Sequence, residues 1–191
     1  MAYDAANARP LNIANADNRL ICSAVRLCIE PQIAPGIADE QRGFIKGRSM
    51  LANVVDAEAA MSRHAFASPA APTVFFDFEA AFPSVSHDFL HDVLKAKGWP
   101  PWICTFVIGF YWNNACSISL GGLRHNGFTL SSGVRQGCPL SPLLFAVISD
   151  VLIRRALRMA PLITLRAYAD DIAVLLPNAL VEARILENIF T

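Results

Sequence analysis

Residues 163–177 read ITLRAYADDIAVLLP. Apolar residues flank an Ala-Asp-Asp centre on both sides, and this pattern predicts two strands joined by a tight turn at Ala169, Asp170 and Asp171. Successive residues on a regular strand point to opposite faces, so two adjacent aspartates reach one site only where the backbone turns. A second strand-like segment, TVFFDFE at 73–79, carries Asp77 among β-branched and aromatic residues. A buried carboxylate is expensive unless paired or metal-bound, and no Lys or Arg lies between Arg63 and Lys95. The compensating cation must come from elsewhere. Three hard oxygen ligands on neighbouring strands suit a pair of Mg²⁺ ions about 4 Å apart, which points to phosphoryl or nucleotidyl transfer. An Asp-Asp at a hairpin tip is also ordinary turn chemistry, and spacing alone leaves the two readings open.

Outward from these strands, helical spacing of Leu20, Ile21, Ala24, Leu27 and Cys28 predicts a helix over 17–30, capped by Asp17 and closed by Pro31. A second helix is expected over 49–65, opened by Ser49, before the small-residue tract ASPAAP at 67–72. Ser86 caps a helix to about Lys97, and Gly98 with Pro100 and Pro101 separates it from an apolar helix reaching about Trp112. ACSISL and NGFTLSS alternate around Gly121 and Gly122 as a hairpin. A long helix is expected from Pro142 to Met159, and a last one from about Asn178. Strands mixed with helices in this order predict an α+β domain with an antiparallel sheet and packed helices.

The chain has 191 residues, one domain's worth, and 54% of them are hydrophobic against 17% charged. That composition excludes a disordered chain. It is also apolar for a free-standing globule, so some of the surface is expected to have a cover. The longest apolar runs, PPWICTFVIGFYW at 100–112 and PLLFAVIS at 142–149, are too short to span a bilayer, and no membrane role is expected. The N-terminus lacks a basic-then-apolar order, so no secretory signal is expected and the protein is read as intracellular, in nucleus or cytoplasm. Five widely spaced cysteines without a CxxC indicate neither disulfides nor zinc and are expected to be buried thiols. Sixteen basic residues balance sixteen acidic ones, which argues against a protein that holds nucleic acid by bulk charge alone.

Five blocks in order, RPLNIANADNRL (9–20), EQRGFIKGRSMLANV (40–54), FFDFEAAFPSVSH (75–87), SSGVRQGCPLSPLLFAVI (131–148) and AYADDIAVL (167–175), resemble the reverse transcriptases over nearly the whole chain. The YADD form together with CPLSP and GFIKGRS is similar to the non-LTR (LINE-type) retrotransposon and group II intron branch. The resemblance implies an RNA-directed DNA polymerase with a palm at 66–191 and partial fingers at 1–65, which adds dNTPs to a DNA or RNA primer on an RNA template. It implies Asp77, Asp170 and Asp171 as the metal-binding carboxylates, with the carbonyl of Phe78 as a further ligand to two Mg²⁺ ions, Mn²⁺ being a possible substitute. Phe82 matches the aromatic gate that selects deoxynucleotides, and Arg9 matches a clamp on the incoming triphosphate. Gln136 and Gly137 match the block that meets nucleotide and template, Tyr168 a contact to the primer end, and Lys46 and Arg48 contacts to the template backbone.

On this resemblance the thumb is missing and part of the fingers absent, as segments of a longer polyprotein. Faces those parts would cover account for the neutral charge and the apolar surplus. Pro83 departs from the acidic or amide residue more usual after the gate, which leaves the local turn open. Two other readings stand beside the polymerase: a catalytically silent retroelement remnant that at most binds RNA or RNA–DNA weakly, and an RNA-directed RNA polymerase or other palm nucleotidyltransferase, which an aromatic Phe82 disfavours.

Overall fold

In a computed structural model of the chain, which describes residues 13–67 and 71–190, helix α1 spans Ala16–Ile33. It starts one residue before the expected Asp17 cap and runs through Pro31 into a 3-10 turn at Ala34–Gly36. Proline in the last turn forfeits one helical hydrogen bond but keeps a helical φ, and Glu30 before it is held both from within the helix and from the loop that follows. Its buried carboxylate accepts from the Arg26 guanidinium and from the Lys46 backbone N–H. Tertiary bonds therefore override the stop signal. After a turn-rich loop, α2 occupies Met50–Ala67.

Strand β1 is short, Thr73–Phe76, so Asp77 is the first residue beyond the strand rather than inside it. Helix α3 (His87–Ala96) is capped as expected, with Ser86 Oγ accepting the Phe89 N–H at 3.3 Å, and Gly98 takes the left-handed φ of +70° that ends it. Helix α4 (Pro101–Tyr111) begins at a proline, where the missing N–H costs nothing. Strands β2 (Asn114–Leu120) and β3 (Leu123–Leu130) form a separate two-stranded hairpin closed by Gly121 and Gly122, both at positive φ as a primed turn demands. Helix α5 (Ser141–Met159) has more buried residues than any other described helix and contributes to both apolar clusters of the core.

Strands β4 (Thr164–Tyr168) and β5 (Asp171–Leu175) complete a three-stranded antiparallel sheet in the order β1-β5-β4, and α6 (Ala179–Phe190) follows. Alternation works as the pattern predicts: Leu165 and Ala167 on β4 and Ile172 and Val174 on β5 share one face, packed with Ile153 and Ala156 of α5 and Leu186 and Ile189 of α6. Full burial of each large member of that layer contributes about 1.5–3 kcal/mol. On the other side of β4, α2 approaches through Asp56, which pairs with Arg42 at 2.5 Å and Arg166 at 3.5 Å. A second apolar cluster joins α3, α4 and the first half of α5 to Cys22 and Ile29 of α1. The architecture is α+β. Cys22, Cys104 and Cys138 are buried thiols as expected, whereas Cys28 is exposed and Cys116 half-buried. Among the described residues no helix is long and apolar enough to cross a membrane.

Candidate functional site

The β4–β5 connection is as tight as the sequence requires. Tyr168 pairs with Asp171, leaving only Ala169 and Asp170 between the strands, and Ala169 adopts φ +56°. On the neighbouring strand, Phe76 pairs with Ile172, so the next residue, Asp77, comes alongside Asp171. Asp77 and Asp171 are exposed and Asp170 half-buried. The three carboxylates thus stand at the rim of the sheet, Asp77 just beyond β1, Asp170 in the turn and Asp171 as the first residue of β5, and the exposure of Asp77 and Asp171 corrects the expectation of buried acids.

Burial, then the charges of Asp170 and Asp77, push the Asp171 carboxyl above its ordinary range. Among the described residues none of the three has a Lys, Arg or His at ion-pair distance. Three carboxylates brought together by strand register supply the hard anionic oxygens that suit Mg²⁺. The side chains do not form a closed cage, since no group of three His, Cys, Asp or Glu side chains among the described residues is already arranged around an ion position.

Around this rim the other predicted residues fall into two groups. Phe82 is half-buried, stacked on Phe145 at 4.8 Å and edge-on to Phe44 at 6.4 Å, and Phe44 in turn lies 5.8 Å from the Tyr168 ring. An aromatic row therefore runs from α5 to the turn. The carbonyl of Phe82 accepts the Val134 N–H at 2.9 Å, and a Cβ on Gly133, at φ +91°, would meet Pro83 atoms at 2.9 Å. Pro83 is accommodated in this turn by the close approach of that glycine. Gln136 and Gly137 follow, exposed, with Gly137 at φ +78°. Arg135 anchors their loop, donating to the Phe110 carbonyl at 2.8 Å with its guanidinium 4.1 Å above the Phe110 ring. Phe78 is half-buried against the apolar layer of α5 and the sheet.

The basic residues of GFIKGRS part company. Lys46 is exposed. Arg48 turns inward: Nη1 donates to the carbonyls of Ala38 and Gln41 and Nη2 to those of Ala34 and Ile37, so its guanidinium orders the loop between α1 and α2. This departs from the template contact expected of it, because a guanidinium fork satisfies several converging carbonyls that water would otherwise have to reach. Arg9 lies outside the described residues.

Sequence reasoning missed the residue most closely bound to the turn. Gln41 is wholly buried: its Oε1 accepts from Ala169 N–H at 2.9 Å and Gly43 N–H at 2.8 Å, and its Nε2 donates to the carbonyl of Ala169 and to Ser149 Oγ, each at 3.0 Å. The available signal was a single Gln two residues before a Gly in EQRGFI, which no periodicity separates from loop polarity.

The family model of "Reverse transcriptase (RNA-dependent DNA polymerase)" matches residues 4–191. The Drosophila melanogaster Pol polyprotein of the type-2 retrotransposable element R2DM is 32% identical over 142 residues, 70% of this chain and 13% of that protein. The uncharacterized 149 kDa protein of transposon TX1 from Xenopus laevis is 26% identical over 175 residues, 87% of this chain and 13% of that one. The chain spans about an eighth of the length of these relatives. Apo telomerase from Candida tropicalis superposes with a TM-score of 0.47 at 10% identity, covering 91% of this chain and 35% of that structure. With its family model matched from residue 4 to residue 191, the chain belongs to the reverse transcriptase family of RNA-dependent DNA polymerases.

Proposed function

We propose that this chain is the nucleotidyl-transfer centre of a retroelement reverse transcriptase, with residues 66–191 acting as the palm and 1–65 as part of the fingers. The observation that carries the reading is strand register: Asp77 at the end of β1 is brought beside the Asp170-Asp171 turn, and among the described residues no basic side chain pairs with the three. In the reaction, the primer 3′-hydroxyl oxygen bonds to the α-phosphorus of a dNTP as the bond to pyrophosphate breaks. Two Mg²⁺ ions, or Mn²⁺ in their place, held by Asp77, Asp170, Asp171 and the carbonyl of Phe78, would supply Lewis-acid activation of that hydroxyl and charge stabilisation at the phosphate.

The remaining roles belong to the chain's own groups. Phe82, fixed by Phe145 and Phe44, presents a rigid edge to the sugar and selects against a 2′-hydroxyl. Gln136 offers uncharged hydrogen bonds to the incoming pair, and Gly137 lets backbone approach it closely. Tyr168, beside the turn, meets the primer end, Lys46 the template phosphates, and Arg9 the triphosphate. Arg48 acts on the loop that presents Lys46.

Primer extension on an RNA template with dNTPs and Mg²⁺ tests the assignment, with the chain compared to Asp170→Asn/Asp171→Asn. Extension by the parent and none by the variant is expected. Extension by both overturns the assignment, and extension by neither, with both folded by circular dichroism, favours a chain that is silent on its own.

A further inference from the structure

We infer that Gln41 is the positioning residue of the aspartate turn: from the loop between α1 and α2, its carboxamide holds the backbone of Ala169 so that Asp170 and Asp171 are presented together beside Asp77. The inference rests on the metal-binding reading above. Four bonds support it. A carboxamide has two donor hydrogens and two acceptor lone pairs, and here Oε1 accepts from Ala169 and Gly43 while Nε2 donates to Ala169 and Ser149. Every valence is used, so the amide has no second arrangement of equal energy at that depth.

The backbone it holds is one that needs holding. Ala169 sits at φ +56°, a left-handed conformation that is strained for an L-residue with a Cβ, and such residues persist where the surroundings over-determine them. Gln41 binds both the N–H and the carbonyl of that one residue. The loop is pressed against the turn as well: a Cβ on Gly43 would fall 2.1 Å from Ala169 N, and the loop is stitched to β4 by Arg42 N–H to the Ala167 carbonyl at 2.9 Å and Ala167 N–H to the Glu40 carbonyl at 2.8 Å. A glutamine needed only for packing could bond anywhere along β4; this one bonds the residue immediately before the two aspartates. Being neutral, it fixes them without supplying a cation that would compete with a metal.

The test uses Mn²⁺ alone as the probe, its binding to the folded chain followed by electron paramagnetic resonance, together with hydrogen exchange at the Ala169 amide. Gln41→Met keeps the approximate shape and removes all four bonds. Mn²⁺ affinity is expected to fall about 10- to 100-fold, the range seen when groups that orient metal ligands are lost, and Ala169 exchange to accelerate. Leu90→Ala, a buried truncation in α3, provides a destabilised reference expected to keep parental Mn²⁺ affinity.

Parental affinity and parental Ala169 exchange in Gln41→Met would overturn the inference, as would an equal loss of affinity in Leu90→Ala. If Gln41→Met does not fold, Gln41→Asn, which keeps the amide but shortens its reach, carries the same expectation. Failure of both to fold overturns it in favour of a purely structural glutamine. A parent chain with no Mn²⁺ site that Asp170→Asn/Asp171→Asn removes would instead bring down the metal reading, and Ala169 exchange would still decide whether Gln41 holds the turn.

Discussion

Asp171 shows what gathering like charges does to a single residue. Its carboxyl is pushed above the ordinary carboxylate range by burial and by Asp170 and Asp77, so ionising it is harder in the folded chain than in the unfolded one. A raised acid pKa destabilises the fold wherever the group is charged in both states. That penalty is fully present above the raised folded pKa and disappears as the pH falls below the unfolded value of about 3.9. Asp171→Asn is therefore expected to raise the melting temperature at pH 7 in EDTA, with the difference from the parent shrinking to nothing in acid. Thermal melts across that pH range check it, and an unchanged or lowered melting temperature at pH 7 contradicts the charge crowding. The same substitution should abolish metal-dependent activity. The turn that carries this charge was legible from AYADDIAVL because alternation on both sides leaves room only for a tight reversal. Exposure of the carboxylates was not, since nothing in TVFFDFE says that the strand ends at Phe76, before Asp77.

At the scale of elements, patterns confined to one segment could be read and those involving distant partners could not. The Ser86 cap, the Gly121-Gly122 reversal and the span of α5 follow from local chemistry. The passage of α1 through Pro31 depends on Glu30 being bound by Lys46 N–H, and the role of Arg48 depends on carbonyls 7 to 14 residues away. As a sequence, GFIKGRS is a basic loop; folded, it is one exposed lysine and one arginine that closes a loop around its own guanidinium. Arg48→Lys separates these readings. The charge is kept, but a point ammonium cannot satisfy four carbonyls in one plane, so a loss of about 1.5–3 kcal/mol in unfolding free energy is expected, the worth of hydrogen bonds to a charged donor. Urea titration measures it. A variant as stable as the parent but weaker for RNA in a salt-dependent way would return Arg48 to the template.

Across the whole molecule, the loop that carries Gln41 is tied to the helical core through one buried acid. Asp150, wholly buried on α5, accepts from the Lys97 ammonium beyond α3, from the Ala38 N–H at 2.8 Å and from Arg154 Nε at 2.8 Å, while Arg154 Nη2 reaches the Gly36 carbonyl at 2.9 Å. α3, α5 and the loop after α1 thus share a single carboxylate. Burial pushes its pKa up, but the bonds from Lys97, Ala38 and Arg154 outweigh it and hold the carboxyl below its ordinary range. A folded pKa below the unfolded one contributes stability that is present above about pH 4 and is lost as the pH falls through the folded value. Asp150→Asn is expected to lower the unfolding free energy by about 3 kcal/mol at pH 7, in the range for removing one partner of a buried pair. The gap from the parent should narrow on acidification, because the parent then protonates the same oxygen. Urea unfolding of both chains at pH 7 and near pH 3 decides it: a gap that stays constant with pH would mean that Asp150 acts through packing alone. A narrowing gap, accompanied at pH 7 by faster Ala169 hydrogen exchange in the variant, would show that the charge network sets the loop that in turn holds the aspartates.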